Sequence, residues 1–170
     1  MIARSDVDFL YKGLIIALAW IVLSFSAAMA RDLPDPVMTP GWADPRVTQE
    51  TIKQTICVSG YTETVRPPTS YTNKIKKEQI KDYVYTDLNS SHYEEDHLIS
   101  LQLGGSPDDP RNLWPQPYKG SCGARVKDKV EGKLKRLVCS GKITLEEAQH
   151  AIATDWIEAY KKYYDPAGCK

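Results

Sequence analysis

This sequence is short of phenylalanine and has no excess of charge of either sign. Only two of its 170 residues are phenylalanine, Phe9 and Phe25, so tryptophan and tyrosine must supply most of the aromatic core. The 22 basic residues balance the 22 acidic ones, which excludes a generic polycation that coats nucleic acid or a membrane surface. Repeats and low-complexity tracts are absent as well, and the regular apolar periodicity argues against a disordered chain.

A long apolar run occurs only near the N-terminus. Residues 14–23 are apolar throughout, a head with two basic residues precedes them, and an A-x-A site follows at 28–30. This order predicts a secretory signal peptide over residues 1–30. An uncleaved membrane anchor is the alternative, although a full span needs about 20 apolar residues. We therefore expect a secreted or periplasmic chain of residues 31–170, with no stable membrane association after cleavage.

All four cysteines, Cys57, Cys122, Cys139 and Cys169, lie in this expected mature chain. None of them has the C-x2-C spacing of a zinc site, so a four-cysteine metal centre is disfavoured. An even number of cysteines outside the cytoplasm predicts two disulfides, and three pairings are open.

Proline and apolar periodicity divide the mature chain into an arm and one helix-rich domain. Residues 31–46 contain four prolines and predict an extended arm, and residues 47–170 predict the domain. Apolar spacing, a glycine stop at 141 and a capping box at 144–147 predict helices over 48–57, 73–82, 126–138 and 145–164. Short strands are predicted over 98–103 and 112–114. Together these elements predict an α+β fold.

Charge alternates strongly along the chain although the total is neutral. Residues 86–118 hold one basic and six acidic side chains, whereas residues 119–142 hold eight basic and two acidic ones. Residues 66–85 are basic too, with five basic and two acidic side chains. An acidic centre between basic flanks would suit a cation site with phosphate-binding neighbours, and ordinary solvated helix faces would give the same pattern.

The acidic centre contains an Asp-His pair, a Gly-Gly pair and an Asn-Leu-Trp segment. Two antiparallel strands packed on a helix would bring Asp96, His97 and Asn112 to the same end of a hairpin, against the first turns of that helix. A carboxylate and an amide oxygen are hard ligands that suit Mg²⁺. A neutral imidazole beside them can take a proton from water near neutral pH, so it is a candidate general base.

The pattern D-H-L-I-x-L-x-L-G-G…N-L, from Asp96 to Leu113, resembles the HNH (His-Me finger, ββα-metal) nucleases, in the Asp-His…Asn version found in RNA-guided CRISPR effectors. A longer match, T-I-C-V-S-G-Y…R-P-P-T-S-Y with L-V-C-S-G-K…A-I-A-T-D-W, is similar to small exported bacterial proteins labelled HNH-endonuclease-like. The resemblance implies a disulfide-stapled α+β domain with a ββα-metal core over about 93–139 and a C-terminal helix over about 145–164. The implied activity is metal-dependent hydrolysis of phosphodiester bonds in DNA or RNA by a monomer.

Residue roles follow from the resemblance by position. His97 would be the general base, and Asp96 a ligand of one divalent metal, Mg²⁺ first with Mn²⁺ or Zn²⁺ as alternatives. Asn112 would ligate the metal or orient the histidine. Arg111 would neutralise the scissile phosphate as part of the catalytic set.

The helix after the motif departs from the family pattern, because residues 119–132 contain no His or Asn for a third metal ligand. Asp128 would supply that oxygen, with Glu131 as the alternative, and Arg125 and Lys127 would bind substrate phosphates. The missing ligand favours a second hypothesis, a catalytically inactive HNH-like binding or structural protein of the cell envelope.

The wider resemblance also selects among the disulfide pairings. Cys57 and Cys139 both lie in the segments that match the exported group, so we expect a bridge between them. Cys122 and Cys169 would then form the second bridge.

Overall fold

Four α-helices and one two-stranded antiparallel sheet form the regular structure of residues 32–169, the part of the chain that the computed structural model describes. In chain order, these elements are α1 (Tyr61–Val65), α2 (Thr69–Asp82), β1 (Tyr93–His97), β2 (Leu113–Pro117), α3 (Ala124–Cys139) and α4 (Leu145–Tyr163). The predicted α+β class is confirmed. The predicted signal peptide lies outside the described residues.

The sheet is a hairpin that pairs His97 with Leu113 at one end and Tyr93 with Pro117 at the other. Its first strand has the sequence Y-E-E-D-H. Because most of these residues are charged, the apolar pattern does not predict a strand here. The second strand contains two prolines. A two-stranded sheet tolerates them because each strand has a neighbour on one side only.

The strand predicted over residues 98–103 is wrong, because this segment leaves the sheet and turns inward. It contains a 3₁₀ turn over Leu101–Leu103, whose start is capped by the Ser100 hydroxyl, which accepts a hydrogen bond from the Gln102 N–H at 3.2 Å. Gly104 ends the turn with a φ of 72°. The leucines and the isoleucine of the segment are buried all the same. An apolar run of this length therefore indicates burial without specifying a strand.

The helix predicted over residues 48–57 is also wrong, since this segment consists of successive turns. The hydroxyls of Thr51 and Thr55 donate to backbone carbonyls at 3.0 and 2.8 Å. Such side-chain bonds compete with the helical hydrogen-bond ladder. Ile52 and Ile56 still reach the core, with 4% and 0% of their surface exposed.

Three of the predicted helices are confirmed, those over 73–82, 126–138 and 145–164. Gly141 follows α3 with a φ of 72°, as expected of a C-terminal stop. The Thr144 hydroxyl accepts a hydrogen bond from the Glu147 N–H at 3.0 Å and caps α4. A feature without a sequence signal is the break in α4 at Asp155, whose backbone has non-helical angles. Its carboxylate caps the second half of the helix.

Apolar stripes of α3 and α4 pack on each other and on the segment after β1. The fully buried side chains at their contact include two tryptophans and several aliphatic residues, namely Trp114, Val130, Leu134, Val138, Ile152 and Trp156. Burial of this kind contributes about 1.5–3 kcal/mol for each large aliphatic side chain. The hairpin and the first turns of α3 are thereby held on a rigid base.

Two disulfides close the fold, and both predicted pairings are confirmed. Cys57 bonds to Cys139 across 82 residues, and Cys122 bonds to Cys169 across 47 residues. Disulfides of this kind are typical of an oxidising extracellular or periplasmic location. None of the helices in residues 32–169 combines the length and the apolar content that a membrane span needs.

The N-terminal arm lies against the loop that joins the strands of the hairpin. Over residues 32–46 it forms no helix or strand, only an isolated bridge between Ala43 and Gly105. The Asp44 N–H donates to the Gly104 carbonyl at 2.8 Å, and the Ser106 N–H donates to the Trp42 carbonyl at 2.7 Å. The arm therefore fixes one side of the loop that approaches His97.

Candidate functional site

The hairpin brings Asp96, His97 and Asn112 together, as the motif spacing predicts. Asp96 and His97 are the last two residues of β1, and Asn112 directly precedes β2. The Leu98 N–H donates to the Asn112 carbonyl at 2.8 Å and extends the pairing by one residue. All three side chains are buried, with 7%, 6% and 0% of their surface exposed.

The imidazole of His97 is held in one orientation by the loop. Its Nε2 lies 2.8 Å from the carbonyl oxygen of Pro107, and because a carbonyl can only accept, Nε2 carries the proton. Nδ1 has no hydrogen-bond partner among the described residues, so its lone pair is free. Burial lowers the pKa of His97 to about 4, and the positive charges of Arg66 and Lys127 act in the same direction. The ring is therefore neutral at pH 7.

Asn112 fastens the loop by using its whole side-chain amide. Its Oδ1 accepts hydrogen bonds from the Trp42 N–H at 3.2 Å and the Ile99 N–H at 2.9 Å. Its Nδ2 donates to the carbonyls of Ile99 at 3.0 Å and Ser106 at 2.9 Å. Ser106 immediately precedes Pro107, whose carbonyl holds the imidazole. The Asn112 amide thus holds the backbone that leads to the carbonyl bound by the imidazole.

A glycine of the Gly-Gly pair permits this close approach. A Cβ atom built on Gly105 would lie 1.7 Å from the carbonyl oxygen of Ile99 and 2.7 Å from Asn112 Nδ2. Any side chain at this position would therefore push the loop away from Asn112. Gly105 and Asn112 thus both allow the loop to pack closely against the Ile99 backbone.

A buried ion cluster joins the hairpin to α3. The ammonium of Lys127 lies 2.7 Å from Asp96 Oδ1, 2.6 Å from Glu131 Oε1 and 2.9 Å from the His97 carbonyl oxygen. Trp114 Nε1 donates a further hydrogen bond to Asp96 Oδ1 at 2.9 Å. Lys127 is completely buried. The ammonium of Lys127 therefore lies in the interior, whereas a lysine that binds substrate phosphates, as the sequence predicted, would lie at the surface.

Burial and the opposite charges act against each other in this cluster. Burial alone would lower the pKa of Lys127, but the carboxylates of Asp96 and Glu131 outweigh burial and raise it. Burial acts on Asp96 in the opposite sense and raises its pKa. The Lys127 ammonium, 2.7 Å away, opposes this rise and favours the carboxylate form of Asp96.

The oxygens of this cluster do not fit the Mg²⁺ that the resemblance implies while Lys127 stays in place. Mg²⁺ requires oxygen ligands at about 2.0–2.1 Å in octahedral geometry. Asp96 Oδ1 already accepts two hydrogen bonds, Glu131 Oε1 accepts one from the same ammonium, and Asn112 Oδ1 accepts two from the backbone. The ammonium of Lys127 occupies the space between the carboxylates of Asp96 and Glu131.

The other predicted site residues remain nearer the surface. Arg111 forms a forked ion pair with Asp109, and its guanidinium lies 3.5 Å from the centre of the Trp42 ring. Arg125 is exposed on the first turn of α3. Asp128 is exposed on the next turn, and its pKa is raised, first by partial burial and then by repulsion from Glu131.

Sequence reasoning missed Arg66 as a neighbour of the site. Its charge acts on both His97 and Asp128, its side chain is exposed, and it makes no ion pair within the described part of the chain. The only sequence signal was the stiff R-P-P turn that it begins. The i, i+4 spacing of Lys127 and Glu131 on one helix predicts only that the two side chains can meet, and it does not predict that Lys127 is buried.

Comparisons with known protein families, with curated proteins and with solved structures found no match to this chain. The function of this chain is therefore inferred from the geometry of the site and from the motif.

Proposed function

We propose that this protein is an extracytoplasmic phosphodiester hydrolase that cleaves DNA or RNA, with β1, β2 and α3 as an HNH-like core. The observation that carries the proposal is the orientation of His97. Its Nε2–H is bound to the Pro107 carbonyl, its Nδ1 is free, and the ring is neutral at physiological pH. A buried, fixed and neutral imidazole is the form of histidine that can act as a general base.

The proposed chemistry uses the free nitrogen of this ring. Nδ1 of His97 takes a proton from a water molecule while the water oxygen attacks phosphorus in line. The bond from phosphorus to the leaving ester oxygen breaks, and that oxygen takes a proton from solvent. The bond from Nε2–H to the Pro107 carbonyl stabilises the imidazolium that forms during attack.

Exposed guanidinium groups provide the matching charge for a phosphate. Arg66 lies close enough to His97 to lower the pKa of the ring. Arg125 is exposed at the start of α3, the helix packed on the hairpin. A guanidinium can bind two phosphate oxygens at once and position a phosphodiester. Arg66 and Arg125 are therefore our candidates for substrate binding, and Arg111 is a third whose charge is already paired with Asp109.

His97→Ala tests the proposal directly. The oxidised mature protein is incubated with plasmid, single-stranded DNA and RNA, each with Mg²⁺, with Mn²⁺ and with chelator. We expect wild type to cleave at least one substrate and His97→Ala to lose at least about 100-fold in rate, the usual contribution of a general base. His92→Ala is the matched control, because His92 is only half-buried and its Nδ1 pairs with Asp87.

Two results would contradict the assignment of His97. One is cleavage by His97→Ala at the wild-type rate with an unchanged circular dichroism spectrum. The other is a pH profile of cleavage with no loss of rate below about pH 4, where the imidazole of the free protein takes up its proton.

The buried ion cluster favours a second candidate, a catalytically inactive HNH-like binding or structural protein of the cell envelope. In the interior, Asp96 pairs with Lys127 and accepts a hydrogen bond from Trp114. This motif residue therefore stabilises the fold. This candidate predicts that wild type leaves every nucleic acid intact under all three metal conditions while remaining folded and oxidised.

A further inference from the structure

We propose that the ammonium of Lys127 is the resident cation of the hairpin–helix unit and excludes divalent metal ions from the place between Asp96 and Glu131. The inference deepens the proposed function, because it predicts that cleavage continues in the presence of chelator. It also predicts that removal of the ammonium turns this place into a cation site. The binding part can be measured whether or not the protein cleaves nucleic acid.

The donors of the Lys127 ammonium match the surrounding acceptors in number. An ammonium has three N–H groups, and Lys127 has three oxygen neighbours at 2.6–2.9 Å, namely Asp96 Oδ1, Glu131 Oε1 and the His97 carbonyl. Two carboxylates and one backbone carbonyl are also the oxygen types that bind Ca²⁺ and Mg²⁺. The lysine therefore occupies a set of ligands that would otherwise suit a metal ion.

The Lys127 ammonium cannot leave the interior for solvent. A lysine at a surface site can swing its ammonium into solvent and release its carboxylate partners. Lys127 is completely buried, and its helix is covalently linked at its end by the Cys57–Cys139 disulfide. A metal ion would have to displace an ammonium that cannot reach water, so entry would require local unfolding of α3 from the hairpin.

The distances between the Lys127 nitrogen and its three oxygen neighbours indicate which metal ion would fit the site without the ammonium. The three oxygens surround the nitrogen at 2.6–2.9 Å, which is nearer to the Ca²⁺–oxygen distance of about 2.3–2.6 Å than to the Mg²⁺ distance of about 2.0–2.1 Å. With the ammonium removed, Ca²⁺ should bind there more tightly than Mg²⁺. Water molecules would complete its coordination in the space left by the side chain.

The test compares metal binding by wild type, Lys127→Ala and the double variant Lys127→Ala/Asp96→Asn. The probes are Ca²⁺, Mn²⁺ and Mg²⁺ alone, with calorimetry and thermal unfolding of the oxidised protein as readouts. We expect no saturable binding and no shift in melting temperature for wild type. Lys127→Ala should bind Ca²⁺ with a Kd of about 0.1–1 mM, the range of extracellular Ca²⁺ modules, and the double variant should lose that binding. Lys129→Ala, an exposed lysine on the same helix, should behave as wild type.

Each outcome decides one part of the proposal. Saturable binding by wild type that disappears in Asp96→Asn or Glu131→Gln would overturn exclusion by Lys127. Absence of Ca²⁺ binding by a folded Lys127→Ala would overturn the latent cation site. If Lys127→Ala is unfolded without metal, recovery of the fold by Ca²⁺ supports the site, and failure to recover overturns it. Cleavage by wild type that stops with chelator would refute the inference and leave the hydrolase proposal standing, whereas absence of any cleavage would leave the binding results to decide.

Discussion

Replacement of Asn112 distinguishes a side chain that clamps the loop from one that ligates a metal. The amide is completely buried and makes four hydrogen bonds, all to backbone groups of three residues. Asn112→Ala removes all four and leaves their partners unpaired. At about 1 kcal/mol net for each bond, we expect the free energy of unfolding to fall by about 4 kcal/mol.

Asn112→Asp is the sharper variant, because a carboxylate is at least as good a metal ligand as an amide. As a clamp it fails, since an oxygen replaces the Nδ2 group that donates to the carbonyls of Ile99 and Ser106. Two lost bonds and a buried charge should cost about 2–4 kcal/mol. The loss should be smaller at pH 4 than at pH 8, because a protonated acid regains one O–H donor.

The assay is urea unfolding of the oxidised protein at both pH values, followed by the fluorescence of Trp114 and Trp156, which are buried. Asn73→Asp on the exposed face of α2 is the control, with an expected change within about 0.5 kcal/mol. Wild-type stability of Asn112→Asp at pH 8, together with saturable binding of Mg²⁺ or Mn²⁺, would refute the clamp.

Three further predictions concern stability. Both carboxylate oxygens of Glu95 are buried without a hydrogen-bond partner among the described residues, and burial raises the pKa of Glu95 to about 8. The protonated side chain contributes fully to stability below the unfolded pKa of about 4.3, and this contribution is lost as pH rises through 8. The free energy of unfolding of Glu95→Gln, measured with urea, should therefore exceed that of wild type by on the order of 3 kcal/mol at pH 9 and equal it at pH 4. Equal stability of the two proteins at pH 9 would contradict this. Cys57→Ser/Cys139→Ser opens a bridge across 82 residues and should cost about 4.5 kcal/mol in the chain-entropy treatment, so an unchanged melting temperature would argue against it. Gly105→Ala should unfold the hairpin loop, because its Cβ would lie 1.7 Å from the Ile99 carbonyl oxygen, and a soluble variant with the wild-type melting temperature would be the contrary result.

The sequence predicted the meeting of Asp96, His97 and Asn112 because the motif combines a hairpin with fixed spacing. It did not predict the shape of the chain between them. The apolar bias of residues 98–103 before the Gly-Gly pair predicts a strand, whereas capping by Ser100 turns the segment inward. Burial and backbone conformation are separate properties, and an apolar run reports only the first.

Local chemistry determined the elements that depend on near neighbours. The stripe of α3, the glycine after it and the cap at Thr144 involve contacts within a few residues, so the sequence alone predicts them. The even count of cysteines likewise predicted two disulfides. The sequence alone left their pairing open until the resemblance selected it.

Only the tertiary structure decided the role of Lys127. In the sequence it is one of several lysines in a basic helix, and such residues are normally exposed. Its acidic partner on β1 lies 31 positions earlier in the chain, at Asp96, and the contact exists because α3 packs its first turns on the end of the hairpin. A charge 2.7 Å from its partner and sealed from water behaves differently from the same charge in solvent, and no local pattern records which lysine that will be.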